Sequence, residues 1–497
     1  MARVIEHWVG GKPFHGSPDA TGEVTDPATG EVTAHVNLAS AEDVDYAAEA
    51  AVTAFPGWAA LSLSKRTAIL FAFRELLNAR APELAAIITG EHGKVLADAA
   101  GEVARGQEVV EFACGIPHLL KGSFSASAST QVDVHSVREP LGPVAVIGPF
   151  NFPAMVPMWF FPIAIAAGNT VILKPSEKVP TAALWMAGLW QEAGLPPGVF
   201  NVVHGGKKAV DALLIHPAIQ AVSFVGSTPV ARHVYATGTA AGKRVQALGG
   251  AKNHMVMLPD ADLDLAADQA VNAAYGSAGE RCMAISVCVA VGDCADALVD
   301  KIRARTVALR TGDGRRSCDM GPLVSAAALE RVSGYVEAGI KEGAVPVADG
   351  RGVSPDAGGH GFFIGPTLFD HVTPEMTIYT EEIFGPVLSI VRVPSLDEAL
   401  SLINRNPYAN GAAIFTNDGR QARRFQAEAQ VGMIGVNVPI PVPVSYYSFG
   451  GWRNSLFGDT HAHGTEGVHF YTRGKVITSR WPGQSQGGVN LAFPQNS

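Results

Sequence analysis

The residue with the clearest capacity for covalent chemistry is a cysteine that follows a loop of small residues. Cys282 comes after the stretch Gly276-Ser277-Ala278-Gly279 and before an apolar, β-branched run, which places its thiol at a loop that leads into a strand. Arg281 stands beside it, and a neighbouring cation favours the thiolate, the nucleophilic form of cysteine. A buried structural role would also explain a cysteine, and it suits Cys288 and Cys294, whose spacing differs from that of metal ligands.

A second loop has the residue types that bind the phosphates of a dinucleotide. No G-x-G-x-x-G follows any predicted strand, so the usual dinucleotide fingerprint is missing. The apolar run 221–225 instead leads into Gly226, which permits a tight turn, then into Ser227 or Thr228 as a helix cap and Pro229 at the first helical position. A helix N-terminus of this kind offers backbone N–H groups to a pyrophosphate. An ordinary capped helix after a strand would account for the same residues.

A third loop has the residue types that bind a ribose. Lys174 and Glu177 lie in Lys174-Pro175-Ser176-Glu177, directly after an apolar run, and both side chains can hydrogen-bond ribose hydroxyls. A carboxylate in this place would repel a 2′-phosphate, which favours NAD over NADP. A solvated Lys–Glu pair is the alternative interpretation.

These loops are predicted to follow the strands of a doubly wound parallel sheet. The apolar runs are separated by about 20 to 30 residues of helical pattern, enough for a crossover helix, and strands covered on both faces have this continuous apolar character. The runs lie at residues 144–148, 170–174, 200–204, 221–226 and 255–258. A second α/β domain is predicted from strands and helices at residues 286–291, 295–305, 325–342, 388–393 and 397–404.

The remaining segments are predicted to surround these two domains. Residues 40–60 and 64–101 show helical spacing, with Ser40 and Ser64 as candidate N-caps. The stretch 123–137 fits either an exposed ribbon or a surface loop. A loop is predicted at residues 349–365, and a disordered tail or surface arm at residues 483–497.

Composition and charge favour a small-molecule ligand over nucleic acid or a membrane. Of 497 residues, 47% are hydrophobic and 17% charged, and the formal net charge is -9 with no long run of either sign. The longest apolar stretch, residues 153–167, is too short to span a bilayer, and no signal peptide begins the chain, so a cytoplasmic location is expected. Five cysteines without a C-x-x-C pair argue against a disulfide framework and a zinc site. His461 and His463 are expected to be surface residues, and no metal is predicted.

The order of several motifs along the chain resembles that of the aldehyde dehydrogenase superfamily. The motifs are PFNFP at 149–153, KPSE at 174–177, FVGST at 224–228, LGG at 248–250, Cys282, and EEIFGPV at 381–387. The resemblance spans nearly the whole chain. It implies an α/β fold like that of the aldehyde dehydrogenases, with two doubly wound parallel α/β domains and a β-ribbon oligomerisation arm.

Three stretches narrow the resemblance to the CoA-acylating methylmalonate-semialdehyde and malonate-semialdehyde dehydrogenases. They are RGQEVVE at 105–111, GERCMA at 279–284 and GGAKNH at 249–254, and the segment 449–481 is similar as well. Arg105 and Arg281 belong to these stretches, and a guanidinium can make two parallel hydrogen bonds to a carboxylate. We predict that both hold the substrate carboxylate. A salt bridge of Arg105 with Glu102 or Glu108, and a role of Arg281 in lowering the thiol pKa, are the alternatives.

The family's functional residues are carried over by motif. The resemblance makes Cys282 the nucleophile, with Asn151 and the backbone N–H of Cys282 as the oxyanion hole, and makes NAD the cofactor and coenzyme A the co-substrate. Glu382 falls where the family grips the nicotinamide ribose, with Phe384 packing nearby. The other positions expected to contact or approach NAD are Gly148, Phe150, Lys174, Glu177, Lys178, Ser227 and Gly249.

Two departures from the family pattern bear on the reaction. Hydrolytic members place a glutamate two residues before the Gly-Gly pair, where this sequence has Ala247, which cannot activate water. Transfer of the acyl group to the thiol of CoA is therefore favoured over hydrolysis, and a CoA-independent dehydrogenase that releases a free acid is the rival. The second departure is Ala231, in place of a common glycine, and is expected to alter helix packing only. A catalytically silent protein on the same fold is the least favoured interpretation.

The resemblance also implies a domain organisation and an assembly. The NAD-binding domain is expected at residues 1–122 and 141–250, the catalytic domain at 251–440, the arm at 123–140 and 466–482, and the tail at 483–497. The arm strands are expected near 123–140 and 466–479. A homotetramer built as a dimer of dimers, or a homodimer, is the expected assembly.

Overall fold

Two mainly parallel sheets with helices packed against them form the centre of the protein in the computed structural model, which describes residues 3–17, 20–353, 360–481, 489 and 491. The predicted tail at 483–497 lies outside the described residues except for Val489 and Leu491. Residues 354–359 of the predicted loop also lie outside them, and the described parts of 349–365 belong to no helix or strand.

The helices vary from single turns to eight turns. They are α1 (Ala41–Ala59), α2 (Leu63–His92), α3 (Leu96–Cys114), α4 (Ile116–Leu119), α5 (Met155–Ala167), α6 (Thr181–Glu192), α7 (Lys207–Ile215), α8 (Thr228–Ala240), α9 (Leu263–Tyr275), α10 (Ala295–Thr306), α11 (Ala326–Lys341), α12 (Thr377–Thr380), α13 (Leu396–Arg405), α14 (Gly419–Glu428) and α15 (Gly464–Phe470).

The strands are short. They are β1 (Arg3–Ile5), β2 (His7–Val9), β3 (Lys12–Phe14), β4 (Thr21–Asp26), β5 (Glu31–Asn37), β6 (Phe124–Ser129), β7 (Val132–Pro140), β8 (Pro143–Ile147), β9 (Thr170–Lys174), β10 (Phe200–Val202), β11 (Ala221–Val225), β12 (Arg244–Leu248), β13 (Asn253–Met257), β14 (Ile285–Val291), β15 (Val345–Ala348), β16 (Thr367–Asp370), β17 (Val387–Val393), β18 (Tyr408–Ala409), β19 (Gly411–Phe415), β20 (Met433–Val436), β21 (Trp452–Arg453), β22 (Leu456–Phe457) and β23 (Thr472–Arg480).

The first large sheet has the doubly wound order expected for a nucleotide-binding unit. Its strands run β22-β12-β11-β8-β9-β10-β2-β3, with parallel pairing from β12 to β10 and antiparallel pairing at both edges. The chain leaves β8 and winds outward in both directions, so the loops after β8 and β11 diverge and open a crevice at their carboxyl ends. Strand β12 is missing from the sequence prediction, because its first residue is exposed and polar residues interrupt its short apolar run.

The second large sheet confirms the predicted second α/β unit. Its strands run β15-β16-β17-β14-β13-β19-β20, and every pair is parallel except β15 with β16. The helices predicted at 295–305, 325–342 and 397–404 are α10, α11 and α13, each within two residues of the expected ends. The strand predicted at 255–258 is β13, which joins this second sheet rather than the first.

The capping residues of the N-terminal helices show which predicted helix boundaries are right and which are wrong. Ser40 caps α1 in a capping box with Asp43, as expected. The next helix begins after Ser62, whose hydroxyl accepts a hydrogen bond from the N–H of Lys65, so Ser64 as its N-cap is wrong. That helix ends at Gly93, which adopts a φ of 92°, and a separate α3 follows. The single helix expected over 64–101 is therefore two helices.

A three-stranded antiparallel ribbon forms the segment expected to be the arm. Its order is β23-β7-β6, with Thr472 paired to Pro140 at one end and Arg480 to Val132 at the other. The ribbon interpretation of 123–137 is therefore right, and the surface-loop alternative is wrong. The last strand begins at Thr472 rather than near 466, because residues 464–470 form α15.

Two further findings concern membranes and metals. In the part of the chain that the structure describes, no helix combines the length and apolar character needed to cross a bilayer. Within the same residues, no group of three or more His, Cys, Asp and Glu side chains comes together as a metal site would require. His463 is 2% exposed and packs edge-on against Trp159, so its expected surface position is wrong.

Candidate active site

Two cavities meet at Cys282, one on each side of its loop. A cleft of about 870 Å³ lies in the crevice of the first sheet and reaches Cys282 from one side. A second cavity of about 440 Å³ reaches it from the other and is walled by α3, α5 and the segment 440–449. A thiol at the junction of two cavities can react with a small molecule bound in one while a second ligand occupies the other.

Backbone conformation and two asparagines fix the loop that carries Cys282. Ser277 and Ala278 adopt φ values of 54° and 51°, a region that non-glycine residues rarely occupy, within the 3₁₀ turn Gly276–Gly279. The side chain of Asn253 donates to the carbonyl of Cys282 at 2.9 Å, and that of Asn410 does so at 3.2 Å. Asn253 belongs to the GGAKNH stretch at 249–254, whereas Asn410 lies in none of the motifs found in the sequence.

The environment of Cys282 favours the neutral thiol in the absence of ligands. The side chain is only partly accessible, and burial raises the pKa of Cys282 to about 12, with the nearby Glu382 carboxylate adding to the effect. Arg281 acts in the opposite direction but less strongly than burial. The expected effect of Arg281 on the thiol pKa is therefore right in direction, but burial outweighs it in the ligand-free protein.

Asn151 lies in the loop that follows β8 and is almost fully buried. Its side-chain N–H group donates to the carbonyl of Glu280 at 2.9 Å, which links the β8 loop to the Cys282 loop. An amide carries two N–H bonds, so this contact leaves one of them for an oxygen bonded to the carbon under attack. The structure thus places Asn151 beside the nucleophile loop, where an oxyanion hole would require it.

A buried ion pair between Lys94 and Glu102 holds the Asn151 loop in place. The Lys94 ammonium donates to Glu102 at 2.8 Å and to the carbonyl of Asn151 at 2.5 Å. The other oxygen of Glu102 accepts from the N–H groups of Ala154 and Met155 at the start of α5. Both charged side chains are 0% exposed. Sequence reasoning missed this pair, because nothing in a sequence marks a Lys and a Glu eight residues apart as buried.

A second buried acid lies on the other side of Asn151. Burial raises the pKa of Glu280 to about 8, and its carboxylate lies 3.7 Å from the ring of His92, whose pKa burial lowers well below its usual value. The ring of His92 stacks on Phe150 with centroids 6.0 Å apart. Both groups therefore favour their neutral forms.

The larger cleft brings together all nine residues predicted to contact or approach NAD. Lys174 is buried at the end of β9 and donates to the carbonyl of Gly205 at 2.8 Å and to Glu177 at 3.4 Å. Ser227 is the N-cap of α8, and its side chain makes no capping hydrogen bond, so the hydroxyl faces the cleft without an internal partner. The predicted residues that line the cleft are Gly148, Phe150, Asn151, Lys174, Glu177, Lys178, Ser227, Gly249, Glu382 and Phe384.

Glu382 lies where this cleft meets Cys282. Its carboxylate accepts from the N–H of Ala251 at 2.8 Å, and burial raises the pKa of Glu382 to about 7. A side chain at Gly250 would collide with this carboxylate, so glycine is needed there for the close approach. Phe384 follows with a φ of 55° and packs edge-on against Phe150, their ring centroids 5.8 Å apart.

Arg105 and Arg281 both line the smaller cavity, and each is paired with a carboxylate. Arg281 contacts Asp98, and Arg105 bonds Glu108 at 2.8 Å and the carbonyl of Pro443 at 2.9 Å. The salt bridge of Arg105 is with Glu108 and not with Glu102. A guanidinium has five N–H groups, so these contacts leave donors on each arginine for a substrate carboxylate.

No carboxylate occupies the position of the hydrolytic base. Ala247 is fully buried within β12, where it pairs with Phe224 and Phe457 of the neighbouring strands. Ala231 is fully buried on α8, consistent with a packing role. The acids that line the cavities around Cys282 are Asp98, Glu102, Glu177 and Glu382, and three of them are engaged with Arg281, Lys94 or Lys174.

Comparison with known proteins agrees with this geometry. Residues 14–477 match the aldehyde dehydrogenase family. The chain is 56% identical over 476 residues to the malonate-semialdehyde dehydrogenase of Pseudomonas aeruginosa. The aligned region covers 95% of this chain and 96% of that protein. Methylmalonate-semialdehyde dehydrogenase from Oceanimonas doudoroffii has a similar structure, with a TM-score of 0.96, 51% identity and coverage of 97% of this chain and 99% of that one.

A structure determined with bound NAD is equally similar. This Sinorhizobium meliloti 1021 protein superimposes with a TM-score of 0.96 at 51% identity and covers 98% of this chain and 100% of its own. The family match over residues 14–477 includes the loop of Cys282. The chain therefore belongs to the aldehyde dehydrogenase family, and its fold is the family's mixed α/β fold.

Proposed function

We propose that the protein oxidises malonate semialdehyde and methylmalonate semialdehyde with NAD and transfers the decarboxylated acyl group to coenzyme A. The products are acetyl-CoA and propionyl-CoA. The observation that carries this proposal is the position of Cys282, which joins a cleft suited to a dinucleotide to a cavity that contains Arg105 and Arg281. The names of the similar proteins point to the same substrates.

The larger cleft has the features that NAD requires. Lys174 and Glu177 can hold a ribose, Ser227 has a free hydroxyl at a helix N-terminus, and Glu382 can accept hydrogen bonds from the second ribose. The exposed fraction of the Glu177 side chain is 39%, so a 2′-phosphate beside it would meet a carboxylate. Bound NAD would supply the hydride acceptor for the oxidation.

Oxidation begins at Cys282 and depends on Asn151. Cys282 first loses its thiol proton to water, and the resulting thiolate forms a bond to the aldehyde carbon while the carbonyl electron pair moves to oxygen. The free N–H of Asn151 and the backbone N–H of Cys282 stabilise that oxyanion. Loss of hydride from the same carbon restores the carbonyl and leaves a thioester between Cys282 and the malonyl-type group.

Decarboxylation and transfer complete the reaction. The carboxylate lies β to the thioester carbonyl, so the bond to it can break with the electron pair passing into a delocalised enolate. Protonation of the enolate gives an acetyl or propionyl thioester on Cys282. The thiolate of CoA then attacks this thioester, and the Cys282 thiolate leaves.

The favoured acceptor is a thiol because the site lacks a base for water. The side chain of Ala247 has no proton acceptor and is fully buried inside a strand. Glu382 is bonded to the N–H of Ala251 and is assigned to the ribose. Water is a weak nucleophile without a base, whereas a thiolate needs none.

The substrate carboxylate is assigned to Arg105 and Arg281. Both guanidinium groups line the cavity on the side of Cys282 away from the NAD cleft. Charge-assisted hydrogen bonds to a carboxylate are worth about 1.5–3 kcal/mol each, enough to set the preference for an acidic aldehyde over propanal.

The test is a product analysis with each semialdehyde, NAD and CoA, and with CoA left out. We expect acetyl-CoA or propionyl-CoA, carbon dioxide and NADH in equal amounts, and a single turnover of NADH per active site without CoA. Sustained turnover without CoA, with a free acid as product, would establish the CoA-independent rival instead.

The exposed ribbon supports an assembly proposal. Three large apolar side chains on or beside the three-stranded ribbon are exposed: Phe124 (66%), Val476 (69%) and Trp481 (77%). So much exposed apolar surface on a small ribbon is unusual for a protein that does not associate through it. We propose that the ribbon joins copies of the chain in a homodimer or a homotetramer. Light scattering of the wild-type protein and of Val476→Glu tests this, since a charge on the ribbon should lower the measured mass.

A further inference from the structure

Helix α3 contains a glycine that protein packing does not require. Gly101 lies in the helix interior, where alanine is the better helix former. Apart from its chain neighbours and the adjacent backbone of its own helix, no protein atom lies within 4 Å of the place where its Cβ would be. Gly106, on the same helix, is different, because a side chain there would collide with Met158. Packing therefore explains Gly106 but not Gly101.

The open space beside Gly101 belongs to the substrate cavity. Gly101 is exposed and lines this cavity together with Asp98 and Arg105, which lie three residues before it and four residues after it. Residues at these spacings share one face of a helix. Arg281 contacts Asp98, so its guanidinium approaches the same face from the N-terminal side.

We propose that Gly101 is a specificity-determining residue, whose missing side chain leaves room for the substrate carboxylate between Arg281 and Arg105. This inference rests on the proposed function, in which those two arginines hold the carboxylate. A side chain at residue 101 would project into the gap that both guanidinium groups flank. An aldehyde without a carboxylate does not need that gap, because only the thiol and the oxyanion hole hold its reacting carbon.

The experiment compares Gly101→Ala and Gly101→Val with the wild type on malonate semialdehyde and on propanal. We expect the ratio of kcat/KM for the acid to kcat/KM for propanal to fall at least fivefold in Gly101→Ala and further in Gly101→Val. The midpoint of thermal unfolding of Gly101→Ala should be unchanged or higher, since alanine favours the helix. NAD binding, followed by protein fluorescence, should be unchanged in both.

Gly188→Ala is the matched control. Gly188 also lies inside a helix, α6, and has no protein atom within 4 Å of its Cβ position beyond its chain neighbours and the adjacent helix backbone. It is absent from the walls of the smaller cavity and of the larger cleft. Its kinetic ratio should not change. An unchanged ratio in the Gly101 variants, or an equal loss on both aldehydes, would overturn the inference. A wild type without preference for the acid would instead refute the proposed function itself.

Discussion

The buried pair of Lys94 and Glu102 offers the sharpest test of how the site is held together. Replacing Lys94 by methionine keeps the volume of the side chain but leaves the Glu102 carboxylate buried without its cation. Glu102→Gln keeps an oxygen for the N–H groups of Ala154 and Met155 but leaves the Lys94 ammonium with one carbonyl partner. Each single change leaves an uncompensated charge in a place that is 0% exposed.

The magnitude follows from that burial. Removing one partner of a fully buried pair costs about 3–5 kcal/mol of folding stability, whereas removing both charges costs far less. The double variant Lys94→Met/Glu102→Gln should therefore unfold at a higher temperature than either single variant. Lys301→Met is the control, because Lys301 pairs with Asp264 at the surface, where such pairs contribute about 0–1 kcal/mol.

The catalytic readout separates positioning from stability. Lys94 holds the carbonyl of Asn151 at 2.5 Å, so its loss should displace the oxyanion donor and slow the pre-steady-state burst of NADH. Removal of an entire oxyanion donor costs about 10²–10³ in rate, which sets the upper limit of the effect. NAD affinity should stay within about twofold, since no NAD-binding side chain contacts Lys94. A double variant less stable than both singles, or a burst rate equal to wild type in Lys94→Met, would refute this reasoning.

Four further predictions concern the ligands. Because burial raises the pKa of Cys282 to about 12, the rate of its alkylation by iodoacetamide without NAD should rise about tenfold per pH unit from pH 7 to 10. Cys282→Ser gives the background rate, and a plateau near pH 8 would contradict the prediction. Because the pKa of Glu382 is about 7 and its carboxylate is the form that accepts ribose hydroxyls, NAD affinity should strengthen as pH rises from 6 to 8, and Glu382→Gln should remove that dependence. Glu177→Gln should raise kcat/KM for NADP relative to NAD; equal wild-type values for the two cofactors would count against the assigned role. Arg105→Leu should raise KM for semialdehyde acids by a factor of tens, about 2 kcal/mol, and change propanal kinetics far less; an equal loss on both would indicate a structural role.

Local patterns predicted the fold because they report directly on burial. The continuous apolar runs at β8, β9 and β11 belong to strands buried on both faces, as expected for a doubly wound sheet. The errors lie where tertiary context decides. Helix α2 has Ser62 rather than Ser64 as its N-cap, because the Ser62 hydroxyl accepts from the N–H of Lys65. Strand β13 joins the second sheet, because pairing partners cannot be read from one strand alone.

The candidate site was predictable only where a residue belongs to a recognisable motif. The loops with Cys282, Asn151, Lys174 and Glu382 carry such motifs, and the structure brings all four to one cleft. Asn410, which donates to the Cys282 carbonyl, lies in no motif, because its residue type alone does not show what it contacts. Asn253 lies in the GGAKNH stretch, but the motif did not indicate its contact with the same carbonyl.

Helix α3 shows what kind of signal the sequence did contain. Asp98, Gly101, Glu102 and Arg105 follow the spacing of one helix face, and all four line the smaller cavity beside Cys282. The adjoining face of the same helix packs Val103 and Val110 into the core. The charged face is therefore not simply the solvent-exposed side of an amphipathic surface helix. Burying charged groups is costly unless each is paired, and the structure supplies Arg281 for Asp98, Lys94 for Glu102 and Glu108 for Arg105. A helix that packs one face into the core and has charged residues and a glycine along the adjoining face therefore indicates the wall of a binding cavity.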